Sequence, residues 1–330
     1  MSHAKTTGQK MWMTVARTAA GAAAIDLTAS WCAAYYTFHN DSRKRRDPER
    51  VPSGDQYLPY RERMLELIHD LQKRPYEEVH IISDDGLRLM GRYYHQKDGA
   101  PLDIMLHGYH GTSIRDFHIA WENGHNILLV DQRAHGDSEG HTITFGVRER
   151  MDCLLWCRYA VEHFGTDCEI WLNGVSMGAS TVLMASNLPL PPQVKGIIAD
   201  CPYDSPRGII RRTAGQFTIP IAFLYPLVRL GAKLFYGFDP EEASPVQSVA
   251  HTKLPILFIH GEDDRFVPIE MGKHVYDACV SEKYFFSVPG AGHCLSYLVD
   301  EEGSLCISVE STQLRTLRVR KTSGLQCGRK

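Results

Sequence analysis

The chain has 330 residues, 43% of them apolar and 23% charged, with a formal net charge of −3. That length suits one α/β domain with extensions, and the ordinary apolar content marks a globular chain rather than a disordered one. The small negative charge leaves no basic footprint, so no nucleic-acid partner is expected.

Residues 1–55 read as an N-terminal extension. Within it, residues 11–38 are Ala-rich with aromatic ends, but Arg17 and Asp26 interrupt the stretch. A clean run of about 18 apolar residues, the minimum for a membrane span, is therefore missing. Lys5 and Lys10 precede the stretch, and Arg43, Lys44, Arg45 and Arg46 follow it. Two structures fit this pattern. One is a surface helix packed on the domain with a solvated charge run. The other is an interfacial helix or degenerate signal peptide whose basic run sits at lipid headgroups, giving peripheral membrane contact through residues 11–46.

Residues 56–303 read as the main domain. Met64, Leu67, Ile68 and Leu71 recur at helical spacing, so residues 56–75 are expected to form an amphipathic helix covering one sheet edge. Strands are expected at 78–83, 87–94, 102–107, 126–131, 168–173, 194–200, 255–260 and 283–288. A helix is expected over 145–164, with Val147, Met151, Leu154, Val161 and Phe164 on its buried face. An initial hairpin followed by alternating strands and helices predicts an α/β fold with a mostly parallel, doubly wound, eight-stranded sheet.

Residues 205–248 interrupt that alternation. They are too long and too apolar for a loop, and they read as a small helical lid. Phe217, Phe223 and Tyr225 are its candidate pocket residues, which points to a small-molecule substrate with an apolar acyl or aromatic portion. The bland alternative is a set of helices flanking the sheet. Residues 304–330 lack an amphipathic period and carry Arg315, Arg318, Arg320, Lys321, Arg329 and Lys330 against Glu310. A reading-frame change near Gly303 would produce such a basic tail.

The chemistry concentrates in three places. Gly174-Val175-Ser176-Met177-Gly178 lies between an apolar strand and a small-residue helix start, which is the pattern of a nucleophile elbow. A serine needs a base and an orienting acid. Asp263 and Asp264 follow the strand ending at His260, and His293 follows the last expected strand. The chain order is serine, aspartate, histidine, with each residue just beyond the carboxyl end of a strand.

With these residues the chain resembles the α/β-hydrolases, and among them the uncharacterised bacterial branch grouped with serine-aminopeptidase-like and acyl-thioester-hydrolase-like members. The resemblance covers roughly residues 75–300. It includes His107-Gly108-Tyr109-His110-Gly111 after a strand, Asp131-Gln132-Arg133-Ala134-His135-Gly136-Asp137-Ser138 after the next, and the His-Gly-x-x-Asp-x-x-Val-Pro pattern from His260 to Pro268. It implies Ser176 as nucleophile, His293 as base and Asp264 as acid, with Asp263 the neighbouring alternative. It further implies an oxyanion hole from the backbone N–H groups of Met177 and Tyr109, and no cofactor. The C-terminal tail departs from the family, which normally closes with an amphipathic helix.

Nine scattered cysteines show no zinc-type pair spacing and favour a reducing, cytoplasmic compartment. Cys153 and Cys157 read as small core residues, and Cys294 as either a reactive thiol or a loop filler. Sixteen histidines are present without an H-E-x-x-H motif, so no catalytic metal is expected. The expected function is a serine hydrolase cleaving a carboxylic ester through an acyl-serine intermediate. Amidase, peptidase, thioesterase or acyltransferase chemistry on the same triad, and a catalytically silent binding module, are the alternatives.

Overall fold

The computed structural model describes residues 24–41, 49, 51–111, 118–215 and 221–304, together with Trp12. Eight strands form within two residues of the expected bounds: β1 (Glu77–Ile82), β2 (Arg88–Tyr94), β3 (Leu102–Leu106), β4 (Asn126–Val130), β5 (Ile170–Val175), β6 (Val194–Asp200), β7 (Ile256–Gly261) and β8 (Lys283–Val288). β3, β4, β5 and β7 are buried along their whole length, which is why they read as continuous apolar runs rather than alternating ones.

The strands form one sheet in the order β1-β2-β4-β3-β5-β6-β7-β8. β2 runs antiparallel to both β1 and β4, and every other pairing is parallel. The β1–β2 turn closes through the Gly86 N–H donating to Ser83 O, with Gly86 at φ 85°. β4 lies on one side of β3 and β5 on the other. The winding therefore reverses between β3 and β5, and the loops leaving those two strands diverge to open a crevice at their carboxyl ends.

Residues 24–38 form helix α1. The others are α2 (Arg61–Gln72), α3 (His118–Glu122), α4 (Glu149–Phe164), α5 (Met177–Ala185), α6 (Pro206–Ala214), α7 (Ile221–Gly231), α8 (Pro245–Val249), α9 (Ile269–Ala278) and α10 (Ser296–Val299). α4, α5, α8 and α9 share one core cluster with Ile104, Leu172, Ile197 and Phe258. α2 and α3 serve the opposite face.

α2 buries Met64, Leu67, Ile68 and Leu71, yet it does not cover a sheet edge as expected. Met64 packs with Ile198, Leu257 and Ile259, while Leu71 packs with Met105, Ile127 and Leu129. The helix therefore crosses the face from β4 to β7. Its 12 residues span about 18 Å, the width of about four strands, whereas an edge would offer its stripe only one. Each of these side chains is worth about 1.5–3 kcal/mol when fully buried, which a face can supply and an edge cannot.

α4 also differs from expectation. Its buried face carries Cys153, Leu154, Trp156, Cys157 and Ala160, while Met151, Val161 and Phe164 are only half-buried. Trp156 and the two cysteines pack on the sheet, so the apolar stripe is rotated from the one drawn through the aliphatic positions. Glu149 and Asp152 are buried because they are bonded. Glu149 accepts from the Thr144 and Gly146 N–H groups at 2.8 Å each, and Asp152 holds Arg133 through two 2.7 Å bonds.

α1 packs on the body as a surface helix. Ser30, Ala34 and Phe38 are buried, and α7 approaches so closely that a Cβ on Gly231 would lie 2.1 Å from Ser30 O. Phe38 meets Phe145 and Phe238 edge-on at 6.0 and 5.0 Å. The Ile143 N–H donates to Phe38 O, and the Asn40 N–H donates to His141 O. The outer face leaves Ile25, Leu27, Trp31, Tyr35 and Tyr36 exposed. Among the described residues no helix is long and apolar enough to cross a membrane. The basic run at 43–46 lies outside the described residues, as do 216–220 and 305–330.

The stretch between β6 and β7 divides in two. α8 packs against α5 and α9, with Val249 in the main core, so it flanks the sheet. α6, α7 and the π-turn Ala232–Tyr236 that follows instead bury Ile209, Ile210, Tyr225, Val228 and Ala232 beside Phe38, Tyr203, Met177 and Val267.

Candidate active site

β5 delivers Ser176 through a turn that only its two glycines permit. Ser176 sits at φ 56° and ψ −113°, a strained conformation for a side chain bearing a Cβ. A Cβ on Gly174 would lie 2.4 Å from the Gly178 carbonyl, and one on Gly178 would lie 1.9 Å from Leu106 O. The elbow therefore needs glycine at both positions to pack on itself and on β3. The Ser176 N–H donates to Asp200 O at 2.8 Å, tying the elbow to the end of β6. All nine residues of α5 are buried, so the helix that carries the turn is fixed on every side.

Ser176 Oγ lies 2.9 Å from His293 Nε2, and His293 Nδ1 lies 2.6 Å from Asp264 Oδ2. These residues are brought together from the ends of β5, β7 and β8, and all three are buried. Asp264 Oδ1 accepts from the Phe266 and Val267 N–H groups at 2.9 and 2.8 Å. The carboxylate is thus aimed before His293 meets it. Asp263 is exposed and its N–H donates to Ala291 O. The structure puts Asp264, and not its neighbour, on the imidazole. His260 braces the same loop by donating from Nε2 to Val267 O at 2.9 Å.

The loop after β3 lies against the elbow, where a Cβ on Gly108 would sit 3.3 Å from Ser176 Cβ. This sets the Gly108 backbone close beside Ser176, whose own chain continues directly into α5. The Tyr109 ring stacks on Phe145 at 5.2 Å. His107 braces the loop: its Nε2 accepts from the Gln132 N–H at 3.1 Å, leaving Nδ1–H to donate to Gly108 O at 2.8 Å. His135 acts alike, its Nε2 accepting from the His110 N–H at 3.1 Å. Both histidines thus take backbone groups as their partners. Arg133 anchors the adjoining turn through Asp152 and Asp85.

Of the candidate pocket residues, Phe217 and the side chain of Phe223 lie outside the described residues. Tyr225 is buried, and its hydroxyl donates to Glu241 at 3.0 Å. Sequence reasoning missed one neighbour of the site. Cys201 follows β6, and its Sγ lies 3.6 Å from Cys294 Sγ, the residue next to His293. Nothing in the local pattern signals this contact across 93 positions.

Burial works against a charged His293, but the Cys294 thiol and the Asp264 carboxylate outweigh it and raise the imidazole above its ordinary 6.5. A base must be unprotonated to accept the serine proton. The ascending limb of kcat/KM against pH is therefore expected above 6.5. Replacing Cys294 by Ser should move that limb to lower pH; a limb that stays put would remove the thiol as a cause.

No family model matches the chain. An uncharacterised protein of Bacillus subtilis, YqkD, is 28% identical over 66% of this chain and 72% of its own. The lysophosphatidylserine lipase ABHD12 of Danio rerio is 25% identical over 56% of this chain and 48% of its own, so the chain spans about half of that relative. An esterase of Pyrococcus furiosus superposes with a TM-score of 0.60 at 23% identity, covering 74% of this chain and 93% of the esterase. Sheet order, elbow and the esterase superposition agree on the fold: the chain has the α/β-hydrolase fold.

Proposed function

We propose that the protein is a serine hydrolase that cleaves carboxylic esters through an acyl-serine intermediate. The unbroken relay Ser176 Oγ, His293 and Asp264, bonded at 2.9 and 2.6 Å, supports this most directly. His293 takes the Ser176 proton as the oxygen attacks the acyl carbon, then returns it to the leaving alcohol. Asp264 holds the Nδ1–H tautomer and stabilises the imidazolium. The N–H groups of Met177 and Tyr109 receive the developing oxyanion, a term worth about 3–4 kcal/mol per donor. Water then repeats the sequence to release the acid. The chemistry runs on side chains and backbone alone. Amide and thioester cleavage or acyl transfer use the same groups, and the leaving group separates them. A fluorophosphonate probe and a panel of nitrophenyl esters, an acyl-CoA and an aminoacyl amide test the assignment. Absence of labelling would favour a silent binding module.

The substrate is a small molecule with an apolar acyl portion, and α6–α7 form the lid of a main domain at 56–303. Met177 and Val267 flank the triad and share an apolar cluster with Ile209, Ile210 and Tyr225. Shortening Tyr225 to Ala should favour bulkier acyl groups, shifting relative kcat/KM by about 1–3 kcal/mol. A lower melting temperature with an unchanged chain-length profile would instead make the residue a packing element.

Such a substrate is delivered well from a lipid surface, and peripheral contact through α1 fits. Trp31 and Tyr35 pair at 5.4 Å on its exposed face, Leu230, Leu234 and Phe235 are exposed on the lid segment, and a basic run follows the helix in sequence. Trp31→Ala combined with Tyr35→Ala should reduce co-sedimentation with anionic phospholipid vesicles several-fold. Equal binding by the two proteins would rule out this face.

A further inference from the structure

We infer that Cys201, Cys294 and His293 form a binding site for a soft divalent cation, zinc in the first place, and that its occupation switches the hydrolase off. The switching rests on the serine-hydrolase reading above, whereas the binding does not.

The three side chains each offer one ligand atom, and these atoms lie within 4.8 Å of one another. In a tetrahedral site with Zn–S bonds of about 2.3 Å, two sulfurs stand about 3.7 Å apart. Cys201 Sγ and Cys294 Sγ stand 3.6 Å apart. Both residues sit at positive φ, 46° and 57°, an uncommon conformation for a residue bearing a Cβ. Neither is in a disulfide.

The chemistry of the donors selects the metal. Two thiolates and an imidazole suit zinc and other soft or borderline ions, not magnesium or calcium. Cys294 is half-buried while Cys201 is fully buried, so an ion would arrive through Cys294. Three protein ligands leave one position for water. The balance is simple: two Zn–S bonds and one Zn–N bond form, the two S–H bonds break, and the two thiol protons, together with any proton on the ligating His293 nitrogen, go to solvent. Nothing is oxidised.

Occupation and catalysis exclude each other. His293 Nδ1 is held by Asp264 and Nε2 by Ser176. A metal must take one of these nitrogens. With Nδ1–H donating to Asp264, the lone pair that would receive the serine proton is the one a metal would use. A histidine that ligates zinc cannot be the base.

The test uses the full chain, stripped of metal by a chelator and kept reduced by a phosphine so that disulfides cannot form. Cobalt(II) is added first, as an absorbing stand-in for zinc. The expected result is a thiolate-to-cobalt charge-transfer band in the parent protein, also seen in Ser176→Ala, and lost in Cys201→Ala and in Cys294→Ser. Ester turnover is then titrated with zinc, each variant against its own metal-free rate. The parent should lose at least about 10-fold in rate and recover with chelator, and either cysteine variant should need about 10–100-fold more zinc. No band, or equal zinc sensitivity in all proteins, overturns the site. A band without loss of turnover overturns the switch. Absence of any turnover would count against the hydrolase reading alone, since the band still reports the site.

Discussion

Ser176→Ala is expected to lower kcat for ester hydrolysis by about 10⁵–10⁶-fold and to abolish fluorophosphonate labelling, with the melting temperature little changed. The reason is the geometry of the hydroxyl. Its one hydrogen-bond partner in the relay is His293 Nε2 at 2.9 Å, so removing it costs the nucleophile and little packing. The helix behind it is held by its own buried face and by the Ser176 N–H donating to Asp200 O, which alanine keeps. Steady-state turnover of a nitrophenyl ester, with circular dichroism on the same samples, measures both halves. Retention of more than a few per cent of the parent rate would remove Ser176 from the mechanism.

The second large effect separates two adjacent aspartates. Asp264→Asn should reduce kcat by about 10⁴-fold, because an amide in place of Oδ2 cannot accept from Nδ1–H without turning its donor away, and the imidazole loses its tautomer. Asp263→Asn should cost less than about 10-fold, since that side chain is exposed and only its backbone is used. The two mutants differ by one position and one functional group, so comparing their kcat values isolates the acid. Equal losses, or the reverse order, would break the relay as drawn.

A lost packing contribution cannot imitate these results. Asn is nearly isosteric with Asp, and the Phe266 and Val267 N–H groups can still donate to an amide oxygen at the Oδ1 position. The loop should therefore hold its shape while the chemistry fails.

The eight strands, their near-parallel sheet and the elbow were legible in the sequence because each has a local cause. A strand buried on both faces must be a short apolar run, and an elbow in which a Cβ at position 174 would lie 2.4 Å from the Gly178 carbonyl must carry glycine there. Spacing and chain order likewise drew out Ser176, an aspartate at 263 or 264 and His293 as candidates, since each lies within five residues of a strand's carboxyl end, and the family resemblance pointed to Asp264. By spacing alone Asp263 and Asp264 are equivalent; in the fold the N–H groups of Phe266 and Val267 both donate to Asp264.

What only the tertiary structure decided is contact between surfaces with no mark in local pattern. A helical stripe states that α2 buries Met64 and Leu71, not whether an edge or a face receives them. The stripe of α4 turned with Trp156 and two cysteines, because the sheet offered them room. Ser30 and Ala34 show no sign in sequence of meeting Gly231, about 200 positions away. Cys201 and Cys294 are separated by 93 positions and lie 3.6 Å apart because β6 and β8 end on the same side of the sheet. Sequence fixes what each segment must bury and which atoms can do chemistry; the packing of the sheet fixes which of those atoms meet.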